Sequence, residues 1–126
     1  MIQIVWQYDV KEESRGKFEL AYGPGGPWSD LFARSPGFRG TVLLRDTNNP
    51  RRYLTIDNWD SKDHHEAMLA EHNDKYSALD AAFHEWTDSQ VEIGVFRLLA
   101  EASIRPSPGA RRRMPDPRRK SPRTTR

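Results

Sequence analysis

Residues 51–61 read RRYLTIDNWDS. Their mix of β-branched and aromatic side chains favours an extended chain, and strict alternation gives it two faces. Tyr53, Thr55, Asp57 and Trp59 share one face, whereas Leu54, Ile56 and Asn58 share the other. Asp60 or Ser61 then caps a helix, and the acidic Asp63 suits the positive end of the helix dipole. A strand that runs straight into a helix positions both, so a pocket between sheet and helix is expected around this junction.

Upstream, Thr47-Asn48-Asn49-Pro50 is a turn by composition, and Phe38 to Asp46 reads as a strand. Residues 38–60 therefore form a β-hairpin. Ile2 to Val10 is a first strand, with Ile2, Ile4, Trp6, Tyr8 and Val10 on one face. Lys11 to Tyr22 has helical spacing, with Phe18, Ala21 and Tyr22 inward. Gly23-Pro24-Gly25-Gly26-Pro27 breaks that helix, and Trp28, Leu31 and Phe32 point inward from a second short piece.

Downstream, His65, Leu69, His72, Tyr76, Leu79, Phe83 and Trp86 form the inner stripe of one long helix from Ser61. Thr87-Asp88-Ser89 closes it. Gln90 to Ala100 is the last strand, with Val91, Ile93, Val95 and Arg97 on one side. The order β-α-β-β-α-β predicts an α+β, ferredoxin-like antiparallel sheet with its helices on one face. The strands are apolar on both faces, so the open face needs a cover, and a homodimer packed sheet to sheet supplies it.

The apolar share of 36% is low but uneven. Residues 1–104 hold the core, and 105–126 reads as a disordered Arg/Pro-rich basic tail. The tail carries a net +8 of the chain's +2, which leaves −6 on residues 1–104. The basic balance belongs to the tail and does not mark the domain as a nucleic-acid binder. The tail's charge favours transient contact with nucleic acid, but it lacks interleaved aromatics for base stacking. With no cysteine, thiolate metal sites and cysteine nucleophiles are excluded. No apolar run approaches the ~20 residues of a membrane span, and MIQIVWQYDV lacks the marks of a signal peptide. A cytoplasmic location is expected.

His64-His65-Glu66 opens like a zinc-protease helix, but the second ligand position holds Leu69. His65 and His72 lie two turns apart, about 10 Å, too far to share one metal without a third element. No metal is expected. His72 and Tyr76 are neighbours on the inner stripe. His72 there can take a phenolic proton, or it can be a core-edge histidine bonded to Tyr76 or to backbone. Asp57 on a buried face needs a partner, and Arg45 or Arg97 on neighbouring strands can form an ion pair with it.

Several stretches resemble the antibiotic biosynthesis monooxygenase family of dimeric α+β barrels. They are GPGGPWSDLF (23–32), SPGFRG (35–40), RRYLTIDNWDS (51–61), HNDKYSALD (72–80) and EIGVF (92–96). Together they span roughly residues 2–100. The family includes small enzymes that oxidise phenolic polyketides without metal or flavin, as well as haem-degrading enzymes. The haem-degrading branch uses an Asn on the first strand and a Trp and a His on the main helix. The matching positions here hold Gln7, Met68 and Ala78, so the resemblance does not extend to haem degradation.

The resemblance implies cofactor-independent oxidation of a small aromatic or polyketide-like phenol. His72 is the expected base and Tyr76 its neighbour, with Trp6, Tyr8, Asn58, Trp59 and His65 around the pocket. Trp59 is weighed first as an anchor. Two alternatives stay open: a non-catalytic small-molecule-binding domain, and a dimerisation scaffold whose tail is the active part.

Overall fold

The computed structural model describes residues 1–102. The expected tail, 105–126, lies outside the described residues. Four strands, β1 (Ile2–Val10), β2 (Phe38–Arg45), β3 (Arg52–Trp59) and β4 (Thr87–Arg97), form one antiparallel sheet in the order β2-β3-β1-β4. Helices α1 (Arg15–Tyr22), α2 (Pro27–Phe32), α3 (Lys62–Glu71) and α4 (Asn73–Phe83) complete it. This is the expected ferredoxin-like α+β arrangement. Among the described residues no helix is long and apolar enough to cross a membrane.

The alternation of β1 and β3 decides where the core sits. Ile2, Ile4, Tyr8 and Val10 of β1 are buried, as are Tyr53, Thr55 and Trp59 of β3. From the helices, Phe18, Ala21, Tyr22, Trp28, Leu31, Phe32 and Met68 meet them. Gly26 lets α2 turn back onto α1, because a Cβ there would stand 2.4 Å from the Leu20 carbonyl. Pro27 follows at the first turn of α2, where its missing amide is tolerated.

Trp59 closes the junction at the end of β3. It is fully buried, with its ring 5.7 Å from Phe32, 5.2 Å from Phe38 and 5.4 Å from His65. Ser61 then caps α3 by accepting a hydrogen bond from the His64 amide at 3.2 Å. Gly37, at φ +90°, lies under His64, where a Cβ would approach the ring to 2.5 Å. The Gly37 carbonyl accepts from the Asp60 amide at 2.7 Å, tying the start of β2 to the start of α3.

Four local expectations change. The long helix is interrupted at His72, whose φ −115° and ψ 26° end α3 before α4 begins. Trp86 belongs to a short 3-10 turn, His84–Trp86, after α4. Thr87, Asp88 and Ser89 open β4 instead of closing the helix, because Ser89 pairs with Asp9 and Thr87 with Val10. A bulge in β4 also re-sorts its faces. Val5 pairs with Gly94 but Trp6 with Glu92, so Gln90 and Glu92 fall on the helix side and Val91 on the open side.

The open face carries an apolar band of Val42, Leu44, Leu54, Ile56, Val5, Phe96 and Val91 by register. Val42, Leu44, Val91 and Phe96 are exposed. Replacement of the wedge tests the junction: Trp59→Ala should lower stability by about 3–5 kcal/mol, measured by urea unfolding. A loss below about 1 kcal/mol would show that the junction does not depend on the indole.

Candidate functional site

Strand period carries Trp6, Tyr8, Thr55 and Asp57 to the same side of the sheet, facing the helices. Tyr22 of α1, Trp28, Ser29 and Phe32 of α2, and Tyr76 and Asp80 of α4 close over them. Thr41 of β2 and Gln90 of β4 complete the lining. The cleft has a volume of about 500 Å³, counting its open mouth. It is a narrow slot.

Aromatic rings dominate its walls. Tyr8 and Tyr22 meet edge to face at 5.1 Å, and Trp28 meets Tyr76 in the same way at 5.0 Å. Trp6 stacks near Tyr8 at 6.3 Å. Such pairs hold one another in place and exclude water from the space between. Burial raises the Tyr8 phenol far above its ordinary value, with Tyr22 adding to the shift. Burial likewise pushes Tyr22 up to about 12 and raises Tyr76. All three tyrosines are therefore neutral donors at neutral pH. Trp28 is buried, and its indole N–H lies near the Tyr22 hydroxyl without a well-formed hydrogen bond.

Asp57 is the exception among these walls. It faces the slot and keeps some exposure through it, while protein surrounds its carboxyl group. The Thr41 hydroxyl donates to its Oδ1 at 2.7 Å. The expected ion pair is absent: Arg45 pairs with Glu19 at 3.3 Å, and among the described residues no arginine pairs with Asp57. Desolvation raises the Asp57 pKa to about 6, against the pull of the Thr41 hydrogen bond. A carboxyl group poised near neutrality at the wall of an apolar slot can accept or return a proton.

The sequence-derived site residues divide. Trp6, Tyr8 and Tyr76 line the slot. Trp59 does not, and its fully buried ring serves the junction. His65 packs edge-on against Trp59, and desolvation lowers its pKa. Asn58 lies on the opposite face of the sheet, where Gln3 donates to its Oδ1 at 3.0 Å. His72 sits at the joint between α3 and α4, away from the slot lining, with its Nε2 buried and without a hydrogen-bond partner. Asp57, Asp80, Tyr22 and Trp28 enter the site instead. Asp57 was visible as an inward carboxylate on β3, but the neutral identity of its partner was not.

The antibiotic biosynthesis monooxygenase domain family matches this sequence over residues 1–78. No curated protein matches it at a significant level. Among solved structures, it is similar to SnoaB, a cofactor-independent oxygenase from Streptomyces nogalater. The TM-score is 0.60 at 24% identity, over 79% of this chain and 94% of SnoaB. It is also similar to a Nitrosomonas europaea protein assigned to antibiotic biosynthesis monooxygenases, with TM-score 0.60 and 13% identity over 79% and 100% of the two chains. A conserved protein from Methanosarcina mazei Go1 gives 0.59 at 15% identity over 76% and 90%. At these identities the structural likeness carries the fold.

The raised Asp57 pKa links to stability with a definite sign. The folded protein holds this proton more tightly than the unfolded chain, whose Asp titrates near 3.8. Stability should therefore fall as pH rises from about 4 to about 6, by roughly 2–3 kcal/mol for this group. Asp57→Asn removes the titration and keeps an acceptor for Thr41. The variant should match the native protein below about pH 4 and exceed its stability by roughly that amount at pH 8. Urea unfolding across this range checks it, and parallel curves for the two proteins would contradict the assignment.

Proposed function

The chain belongs to the antibiotic biosynthesis monooxygenase family, and from that premise we propose that it is a cofactor-independent monooxygenase of a small, flat phenolic aromatic. The observation that supports this reading is a proton-accepting carboxyl group, Asp57, in an aromatic slot with no cation among its lining residues. Asp57 takes the role of base in place of His72, because Asp57 faces the slot and His72 does not.

The chemistry needs little from the protein beyond a base and a dry, shaped space. Asp57 removes a proton from a carbon acid conjugated with the phenol, leaving a carbanion. The carbanion passes one electron to O2, and the radical and superoxide combine into a peroxide anion. Asp57 returns its proton, giving the hydroperoxide. Asp57 then takes the remaining proton on that carbon, which expels hydroxide, and passes this second proton to the hydroxide to give water. The balance is R2CH2 + O2 → R2CO + H2O, with the substrate as the only reductant. Trp6, Tyr8 and Trp28 sandwich the ring, and neutral Tyr8 and Tyr76 donate to its oxygen as charge develops. Water exclusion protects the carbanion from reprotonation by solvent.

Asp57→Asn should lower kcat/KM for oxidation of an anthrone-type phenol by about 100- to 10,000-fold, read as oxygen uptake without added metal or flavin. In the native enzyme the rate should rise with pH through about 6, as the carboxyl group ionises. Thr41→Val removes a bond that favours the carboxylate, so it should move that midpoint upward. Binding of the phenol without oxygen uptake by the native protein would contradict the reading, as would an unchanged rate in Asp57→Asn.

The protomer is proposed to pair through its open sheet face, where the apolar band meets that of a second copy. The native protein should sediment as a dimer. Phe96→Lys, on that face, should shift it to monomer, and a native monomer in analytical ultracentrifugation would contradict the pairing.

A further inference from the structure

The slot has a one-sided charge. Asp57 lies in its wall and Asp80 at its exposed rim, and none of the twelve lining residues is Lys, Arg or His. Glu92, on the helix side of β4, adds a third carboxyl group close enough to act on Tyr76 and His65. Against these, the described lining offers only neutral polar groups: the Tyr8, Tyr22 and Tyr76 hydroxyls, those of Ser29, Thr41 and Thr55, and the Gln90 amide. We propose that the slot selects flat aromatics that carry no anionic group and rejects their carboxylated counterparts.

The physical reason is the combination of apolar walls and fixed negative charge. A ligand carboxylate entering the slot loses water, meets no cation among the described lining residues, and faces Asp57 at short range where the dielectric is low. A neutral phenol of the same shape loses far less, and its O–H has a carboxyl acceptor waiting. Its oxygen can in turn accept from the Tyr8 or Tyr76 hydroxyl. Among the described residues Asp57 has a neutral partner, Thr41, and no cationic one. A neighbouring arginine would hold it as a permanent carboxylate and would also welcome anions.

This selectivity deepens the oxygenase reading by naming its substrate class, but its test does not depend on turnover. Under anaerobic conditions near pH 8, the full-length protein is titrated with 2-naphthol, neutral there, and with 2-naphthoate, an anion of the same ring system. Quenching of tryptophan fluorescence reports occupancy, since Trp6 and Trp28 line the slot. 2-Naphthol should bind about 10- to 100-fold more tightly. In Asp57→Asn/Asp80→Asn the ratio should shrink several-fold, chiefly by a gain for 2-naphthoate. Asp80 is exposed, so Asp80→Asn alone supplies a smaller shift in the same direction if the double variant fails to fold. Equal or tighter binding of 2-naphthoate by the native protein overturns the proposal. So does binding of neither ligand, or a ratio unchanged by the folded variants. Selective binding of 2-naphthol together with no phenol oxidation in air would defeat the oxygenase reading and leave this one standing.

Discussion

Burial of Trp59 governs the rest of the molecule. Its indole fills the corner where β3 becomes α3, against Phe32, Phe38 and His65. A strand alternates with a period of two, so placing Trp59 on the helix side commits Asp57, Thr55 and Tyr53 to that side as well. A one-residue slip would free Asp57 into solvent only by exposing Trp59 and Tyr53, two of the largest fully buried side chains. Hydrophobic burial at the two ends of β3 thus holds a carboxyl group in a place it would not choose. Desolvation of that carboxyl group is a consequence of the fold, and the Thr41 hydroxyl offsets only part of it.

The remaining elements convert that constraint into a site. The glycine-rich break before α2 folds Trp28 and Phe32 back over the sheet, and α4 brings Tyr76 and Asp80 across the opening. The β4 bulge turns Gln90 and Glu92 toward the helix side. Each element adds an aromatic ring or an acidic or neutral polar group, and none adds a cation to the lining. The cavity that results is narrow, mostly aromatic and electrostatically negative. These properties suit proton abstraction from a flat neutral ligand and are unsuited to holding an anion.

Much of the fold was legible because the relevant signals are periodic. The two faces of β1 and β3 and the inward Trp28, Leu31 and Phe32 follow directly from spacing, and residue type narrows the cap of α3 to Asp60 or Ser61. What was not legible depends on particular backbone and partner geometry. The stripe from His65 to Phe83 keeps helical spacing across His72, with no Gly or Pro to mark the interruption there. Thr87, Asp88 and Ser89 look like a turn, yet they open β4 by pairing with the end of β1. Ser89 donates to Asp9 at 2.6 Å, and Asp88 pairs with Arg51. The bulge at Ile93 has no sequence mark beyond the nearby Gly94. In the site, alternation put Asp57 inward but could not choose between an arginine and a threonine as its partner. That choice separates a salt bridge from a poised base. His72 had the right chemistry, but it sits at the joint between α3 and α4 and is not among the residues that line the slot.

The most direct test is the ionisation of Asp57 itself, followed by the ¹³Cγ chemical shift of its carboxyl group in an NMR titration of the folded protein. The midpoint should lie near 6, well above the ordinary value of 3.8. A midpoint at or below that ordinary value would mean that the carboxyl group is solvated or paired with a cation. In that case the slot would hold an ordinary carboxylate and not the desolvated base on which this account rests.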